Sequence, residues 1–265
     1  MLSLYFVKSN NTFYILIFGW FILQKQYVRT PYLPGWGQVP LQQFSRQSSL
    51  KNKFILCGNG NSKSLALTFD DGPSKYTNDI LSVLRKHNVK ASFFMTGKSL
   101  YRDQVIAKNV YRQGHLIGNH TFSHPWASQK NNFNLMYLQI RKTQNIMEDV
   151  LGFKPQYFRP AFGDITDLQL KIINRYGCEV IGWSIDTQDW FYDDNPKKIA
   201  NNALSNLHNE AIILLHDGGG SRISTTKAID ILIRKAKAQG YRFVTIDALV
   251  SNKKKKLIRM KNARF

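Results

Sequence analysis

Two adjacent carboxylates, Asp70 and Asp71, end an apolar, β-favouring run and are followed by Gly-Pro. A strand that ends in Asp-Asp delivers both acids to one edge of a sheet. Because neighbours along a strand point in opposite directions, we expect the two side chains to do different jobs. One could hold a cation while the other faces a water or a substrate. A plain surface turn is the alternative, since Asp, Gly and Pro favour turns.

Two histidines, His120 and His124, are four residues apart. On a helical turn this spacing places both imidazoles on one face, where they can share a divalent ion. The pair is not the zinc-protease motif, because no Glu follows the first His. Asp71 is a candidate third ligand, and a site of two His and one carboxylate leaves a position open for water, as catalytic metal sites do.

The elements that must position these residues alternate between strand and helix patterns from residue 63 to 250. Strand-like runs occur at 65–69, 91–95, 116–119, 157–159, 180–185, 212–215 and 242–246, and helical stretches occur at 77–87, 103–112, 134–151, 167–176, 196–207 and 226–238. This alternation predicts an α/β fold with about seven parallel strands, closed or nearly closed as a distorted (β/α) barrel.

Chemistry in such barrels lies just after the C-terminal ends of the strands. Polar, reactive side chains follow five of the predicted strands: Asp70 and Asp71, His120 and His124, Arg159, Asp186 and Asp189, and His216. The sequence therefore predicts that these residues meet at one edge of the barrel.

The segments that flank the predicted domain differ from it in composition. In residues 1–29, an apolar block at 13–23 follows a lysine, is short for a spanning helix and precedes no small-residue cleavage site. We expect an uncleaved signal-anchor, with an N-terminal helix packed on the domain as the alternative. Residues 30–62 resemble a linker or a loosely packed lead-in, 63–250 form the predicted catalytic domain, and 251–265 form a basic tail.

The net charge of +20 over 265 residues is concentrated at the ends of the chain. Residues 1–62 hold six Lys or Arg and 253–265 hold seven, with no acid in either segment. Such termini favour an anionic membrane or wall polymer as partner, although solvated ends are equally compatible. No nucleic-acid-binding motif is present, and Cys57 and Cys178 are expected to be free thiols.

Five motifs occur in a fixed order: TFDDGP at 68–73, HTFSH at 120–124, RPAFG at 159–163, DTQDW at 186–190 and LLHD at 214–217. Together they make residues 63–250 resemble the polysaccharide deacetylases of carbohydrate esterase family four, the NodB-homology domain. The resemblance implies removal of an acetyl group from an N-acetylated sugar polymer with the help of one divalent metal ion, usually zinc. It also implies that Asp71, His120 and His124 bind that metal.

The same resemblance implies roles for the other motif residues. Asp70 would be the general base, His216 the general acid, Arg159 the group that holds Asp70, and Asp186 the group that tunes His216. For the substrate, the main-chain N–H of Phe162 would stabilise the oxyanion, and Trp190 and Leu214 would wall the acetyl pocket. Asp164, Asp189 and Asp217 are expected to be loop residues without a catalytic role. Ala161 and Phe162 stand where the family usually has proline and tyrosine, which affects the expected substrate preference.

The expected protein is thus an extracytoplasmic hydrolase, membrane-tethered or secreted, that removes N-acetyl groups from peptidoglycan or a chitin-like polymer. Two alternatives stay open at this point: an O-deacetylase of the acetyl-xylan type, and a catalytically idle domain that binds a glycan or a membrane. Asp70→Asn distinguishes the idle domain, whose biological effect would survive that substitution.

Overall fold

The computed structural model of the protein describes residues 54–250 and four short strands nearer the N-terminus: β1 (Ser3–Ser9), β2 (Thr12–Phe18), β3 (Tyr27–Val28) and β4 (Val39–Pro40). β1 pairs antiparallel with β2, and β3 with β4. The rest of the predicted signal-anchor (1–29), most of the predicted linker (30–62) and the predicted basic tail (251–265) lie outside the described residues, so the domain boundaries stay a prediction. Within the described part of the chain, no helix has both the length and the apolar character needed to cross a membrane.

Strands and helices alternate through residues 54–250, as the sequence predicts. The strands are β5 (Phe54–Ile55), β6 (Ser64–Asp70), β7 (Ser92–Met95), β8 (Leu116–Asn119), β9 (Tyr157–Phe158), β10 (Glu179–Ile181), β11 (Ile185–Asp186), β12 (Ala211–His216) and β13 (Arg242–Phe243). The α-helices are α1 (Thr77–Lys86), α2 (Gly97–Arg102), α3 (Gln104–Arg112), α4 (Lys142–Leu151), α5 (Asp167–Arg175), α6 (Pro196–Leu204) and α7 (Ile223–Ala238). A π-helix, Asn134–Arg141, leads directly into α4, and 3-10 turns lie at Ala127–Gln129 and Ala161–Gly163.

The main sheet has nine strands, eight of them in the order β11-β12-β6-β7-β8-β9-β10-β5. Every strand pair in it is parallel. β13 pairs with the beginning of β6, at Ser64 and Leu65, whereas β7 pairs with its end, at Thr68 to Asp70. The predicted α/β barrel-type fold is confirmed, with two strands more than the seven expected.

β6 lies in the middle of this sheet, and all seven of its residues are buried. Leu65, Leu67 and Phe69 point outward and pack with the helices, whereas Ala66 packs with the residues inside the sheet's curve. Since side chains alternate along a strand, Asp70 points to the inner side like Ala66. The apolar core on both faces therefore fixes where the first carboxylate of the site emerges.

Two predicted segments have features in the structure that their sequence patterns do not show. The predicted strand 180–185 is interrupted at Gly182, whose carbonyl accepts a hydrogen bond from Arg159 and whose Cα has Phe54 where a Cβ would stand. The end of the predicted linker or lead-in contacts the domain: β5 pairs with β10, and the buried Glu210 carboxylate accepts hydrogen bonds from Gly60 N and Ser62 Oγ. Residues 54–62 are therefore packed on the domain.

Candidate active site

A cavity of about 1280 Å³ opens where the central strands end. Nine of the ten predicted site residues line it: Asp70, Asp71, His120, His124, Phe162, Asp186, Trp190, Leu214 and His216. The tenth, Arg159, is fully buried and contacts Asp70. Residues that are up to 146 positions apart in the chain thus meet in one place.

Three of these residues form a group that fits a metal ion. Ligand atoms of Asp71, His120 and His124 all lie within 4.8 Å of one another. Asp71 Oδ1 is 3.3 Å from His124 Nε2 and 3.6 Å from His120 Nε2. This oxygen is buried and accepts no hydrogen bond from the described residues. An unpaired buried carboxylate oxygen beside two imidazole nitrogens is costly unless a cation is bound, so the donor set fits a divalent ion such as zinc.

The orientation of His120 is fixed by its other ring nitrogen. Nδ1 donates a hydrogen bond of 2.8 Å to the carbonyl of Arg159, which leaves the Nε2 lone pair directed toward the carboxylates. Hydrogen bonds of this kind set the tautomer and orientation of histidine ligands in metal sites. Burial, with a smaller contribution from His124, lowers the pKa of His120 to about 3. The imidazole is therefore neutral at physiological pH, as a metal ligand must be.

The segment that brings the two histidines together is a loop, which corrects the expected helical turn. Thr121 and His124 both have positive φ, at 68° and 57°. Asn119 Oδ1 accepts from Thr121 N, and Gln139 Oε1 accepts from the main chain at residues 122 and 123. Side chains rather than a helical ladder thus hold the two imidazoles together.

Asp70 is held by a buried arginine. Arg159 Nη1 donates to Asp70 Oδ1 and to Thr68 Oγ1, both at 2.8 Å, while Nη2 donates to the carbonyl of Gly182. The guanidinium also lies 4.2 Å from the ring centroid of Phe94. Burial raises the pKa of Asp70, and the opposing charge of Arg159 only partly offsets it. A bound cation beside Asp70 would favour its ionised form.

The turn that carries Asp71 is held by a residue expected to have no role. Asp71 has a φ of 74°, and Gly72 N donates to Asp217 Oδ1. Asp217 is fully buried, and its Oδ2 also accepts a hydrogen bond of 2.6 Å from Thr77 Oγ1. A Cβ on Gly72 would stand 2.1 Å from the Asp217 carboxylate, so no larger residue fits there. Asp217 therefore fixes the backbone of a proposed metal ligand.

His216 has a different carboxylate partner from the one predicted. Asp189 Oδ1 is 2.7 Å from His216 Nδ1, and Asp189 Oδ2 accepts from His216 N at 2.8 Å. Asp186, the predicted partner, instead accepts from Gln188 N. Burial lowers the pKa of His216, but the charge and hydrogen bond of Asp189 outweigh it and give a net value of about 9. The imidazolium form is thus favoured at neutral pH.

The turn after β11 explains this correction. Gln188 has a φ of 55°, and the turn there brings the fully buried Asp189 against His216. Thr225 Oγ1 also donates to Asp189, and Arg222 Nη1 donates to the Asp189 carbonyl. The sequence does show two Asp residues in the motif 186–190, but their spacing alone does not say which one faces His216.

The predicted substrate-contacting residues lie on different walls of the cavity. Phe162, with a φ of 58°, stacks on Trp126 with ring centroids 4.1 Å apart and meets His124 edge-on at 4.4 Å. Leu214 is buried in β12, whereas Trp190 is 46% exposed at the rim. Trp126 is not among the predicted site residues. Its position directly after the HTFSHP stretch is the sequence signal that could have identified it.

Comparison with known proteins shows the family of this chain and supports its fold. Residues 58–181 match the family described as Polysaccharide deacetylase. A peptidoglycan-N-acetylglucosamine deacetylase of Bacillus cereus is 36% identical over 208 residues, which cover 78% of this chain and 75% of that protein. The chain belongs to the polysaccharide deacetylase family.

Two further matches extend the comparison. The peptidoglycan-N-acetylglucosamine deacetylase PgdA of Listeria monocytogenes is 38% identical over 192 residues, which cover 72% of this chain and 40% of that protein. A crystal structure of a peptidoglycan N-acetylglucosamine deacetylase in complex with 4-naphthalen-1-yl-N-oxidanyl-benzamide superposes with a TM-score of 0.73 at 36% identity, over 77% of this chain and 95% of that one.

Proposed function

We propose that this protein is a metal-dependent hydrolase that removes N-acetyl groups from N-acetylglucosamine-type sugars of a cell-wall polysaccharide, with peptidoglycan as the first candidate. The observation that carries the proposal is the meeting of Asp71, His120 and His124 beside two proton-transfer groups, Asp70 and His216, in one cavity. The relatives named above are peptidoglycan deacetylases, which supports this choice of substrate.

Asp70 is the base of the proposed reaction. Its Oδ1 is fixed by Arg159, which leaves Oδ2, 3.6 Å from His120 Nε2, to face the metal site. There it takes a proton from the attacking water, whose oxygen forms a bond to the acetyl carbon. A divalent ion held by Asp71, His120 and His124, expected to be zinc, would polarise the carbonyl and acidify water.

His216 is the acid of the proposed reaction. An amine leaves an acetyl carbon poorly unless its nitrogen is protonated as the carbon–nitrogen bond breaks. His216 Nδ1 is occupied by Asp189, so Nε2 is the atom that donates the proton to the leaving nitrogen. The products are acetate and a free amine on the sugar. The main-chain N–H of Phe162 is proposed as an oxyanion donor, and Trp190 and Leu214 as walls of the acetyl pocket.

The proposed site of action is outside the cytoplasm, because a cell-wall polymer is found there. The apolar segment within residues 1–29 is proposed to tether the protein to the membrane. The basic segments at 1–62 and 253–265 would then hold it near an anionic membrane or wall polymer, in a manner that salt weakens. Nucleic acid is not among the proposed partners.

Acetate release from peptidoglycan and from N-acetylglucosamine oligomers is the direct test. We expect release that a chelator abolishes and zinc restores, with one zinc bound per chain. His124→Ala should lose both zinc and activity. His87→Ala, at a histidine outside the cavity, should keep both.

Three results would contradict parts of the proposal. Full activity in the presence of chelator would exclude a metal-dependent reaction. Release from acetylated xylan but from no N-acetylated glycan would favour the O-deacetylase alternative. Zinc binding without acetate release from any of these polymers would favour a catalytically idle glycan-binding domain.

A further inference from the structure

One aromatic side chain at the rim of the cavity has no part in the proposed chemistry. Phe191 is 64% exposed and lines the same cavity as Asp70 and His216. Its neighbour Trp190 is the predicted wall of the acetyl pocket, but Phe191 had no predicted role. Exposed aromatic rings at the rim of a cavity often mark a binding surface.

The backbone and the neighbours of Phe191 hold the ring in place. Phe191 N and Tyr192 N both donate to the carbonyl of Gln188, which makes a tight turn. Tyr192 packs on the main core and meets Phe191 at 4.9 Å with perpendicular ring planes. Asp189, at the start of this turn, is anchored by His216 and Thr225. A ring that is already ordered loses little entropy when it binds a ligand.

Among the described residues, no aromatic ring is stacked in parallel on Phe191, unlike in the other aromatic pair of the cavity. Phe162 and Trp126 stack on each other with an interplanar angle of 11°. Phe191 meets Trp190 and Tyr192 only in T-shaped contacts, at 70° and 89°. Its large exposed fraction therefore leaves ring surface available to a ligand in the cavity.

The position of Phe191 in the sheet order indicates which part of a substrate would reach it. β11, which precedes this turn, is followed in the sheet by β12 with His216 and then by β6 with Asp70. Phe191 thus lies on the acid side of the centre. The nitrogen that His216 protonates belongs to the sugar, so the sugar and the chain that continues from it lie on that side. Resting on the proposed function, the occupant is therefore a pyranose ring.

The size of the cavity agrees with a ligand longer than one sugar. Sites for a single drug-sized molecule have volumes of about 300–1,000 Å³. The cavity here measures about 1280 Å³. We propose that Phe191 forms a second sugar-binding subsite, in which the apolar C–H face of a neighbouring sugar ring stacks on the phenyl ring, and that this subsite makes the protein prefer polymers over short fragments.

The test is binding of N-acetylglucosamine and its oligomers, from the single sugar to the hexasaccharide, measured by calorimetry on the full chain with chelator present so that no turnover occurs. We expect Phe191→Ala to weaken hexasaccharide binding by about tenfold, which is the size of one good aromatic contact, and to leave binding of the single sugar N-acetylglucosamine unchanged. Phe191→Trp, which keeps an aromatic ring at this position, should bind the hexasaccharide as the unaltered protein does. Phe133→Ala, at a phenylalanine that is 62% exposed but outside the cavity, is the matched control and should bind like the unaltered protein.

Equal weakening of single-sugar and hexasaccharide binding by Phe191→Ala would overturn the subsite, as would identical hexasaccharide binding by Phe191→Ala and the unaltered protein. Failure of the unaltered protein to bind any of these oligomers would overturn it too. These outcomes differ from failure of the proposed function. A protein that binds oligomers with the expected dependence on Phe191 but releases no acetate after zinc is added would keep the subsite and lose the deacetylase.

Discussion

The two proton-transfer groups of the proposed reaction are held by oppositely charged partners in different ways. Asp70 receives one N–H of Arg159, whose remaining donors go to Thr68 and to main-chain carbonyls of the sheet. Both carboxylate oxygens of Asp189 instead form hydrogen bonds with His216, one with Nδ1 and one with the backbone N. Arg159, the partner of the base, therefore also stabilises the fold. The hydrogen bonds of Asp189, the partner of the acid, go mainly to His216.

The same difference appears in the pKa shifts. Burial is the largest influence on both groups. At Asp70 burial prevails over Arg159 and the pKa is raised, whereas at His216 Asp189 prevails over burial and raises the pKa to about 9. A partner that concentrates its hydrogen bonds on one group controls that group's charge better than one that divides them.

The largest expected effects are on catalysis, and they separate base from acid. Asp70→Asn and His216→Ala should each reduce kcat on an N-acetylated oligomer by about 10²–10⁴-fold, which is the usual contribution of a general base or acid. An activated aryl acetate needs no proton on its leaving group. On that substrate, His216→Ala should therefore keep most of the unaltered activity while Asp70→Asn stays impaired.

Steady-state kinetics on both substrates check this prediction. His208→Ala is a suitable control, since His208 is buried outside the cavity and contacts Ser184. If His216→Ala and Asp70→Asn lost activity equally on the aryl acetate, the assignment of separate acid and base roles would be wrong.

The free energy of unfolding should depend more on Arg159, the partner of the base, than on Asp189, the partner of the acid. Arg159→Met leaves Asp70 buried and unpaired and removes donors from the sheet, and we expect a loss of about 3–5 kcal/mol in the free energy of unfolding. Asp189→Asn keeps an acceptor for His216 N, so we expect a loss of about 1–2 kcal/mol. Urea unfolding of the two variants provides the measurement.

A double variant sharpens this second prediction. Combining Asp70→Asn with Arg159→Met removes both charges and should recover part of the stability lost in Arg159→Met alone. If Arg159→Met were no less stable than Asp189→Asn, the idea that Arg159 is shared with the fold would fail.

The fold and the meeting of most site residues could be predicted from the sequence because both follow from general rules. Alternating strand and helix patterns predict a parallel sheet, and parallel strands end at one edge. That rule alone brings Asp70, His120, Arg159 and His216 together. The proposed metal ligands follow from residue type, from the spacing of His120 and His124, and from the resemblance to a known family.

What the sequence did not predict lies in turns. The backbone at Gln188 and His124 adopts positive φ, and turns of this kind decide which neighbouring side chain contacts His216. Asp217 follows His216 directly, and only the packed structure shows that it bonds Gly72 and Thr77. Strand patterns carry no information on these contacts, so they do not show that Asp189, rather than the predicted Asp186, is the carboxylate partner of His216.

The smallest expected effect tests that choice directly. Asp189→Asn removes the anion that stabilises protonated His216, so the pKa of His216 should fall from about 9 by about 1–3 units. Because the proposed acid works only when protonated, the alkaline limb of the pH profile of kcat/KM should move to lower pH by that amount. Asp186 acts on His216 through space without a hydrogen bond, so Asp186→Asn should move the limb less. The two profiles, recorded on one N-acetylated oligomer, give the comparison. A larger shift in Asp186→Asn would mean that charge in the cavity, rather than the hydrogen bond to Asp189, sets the protonation of His216.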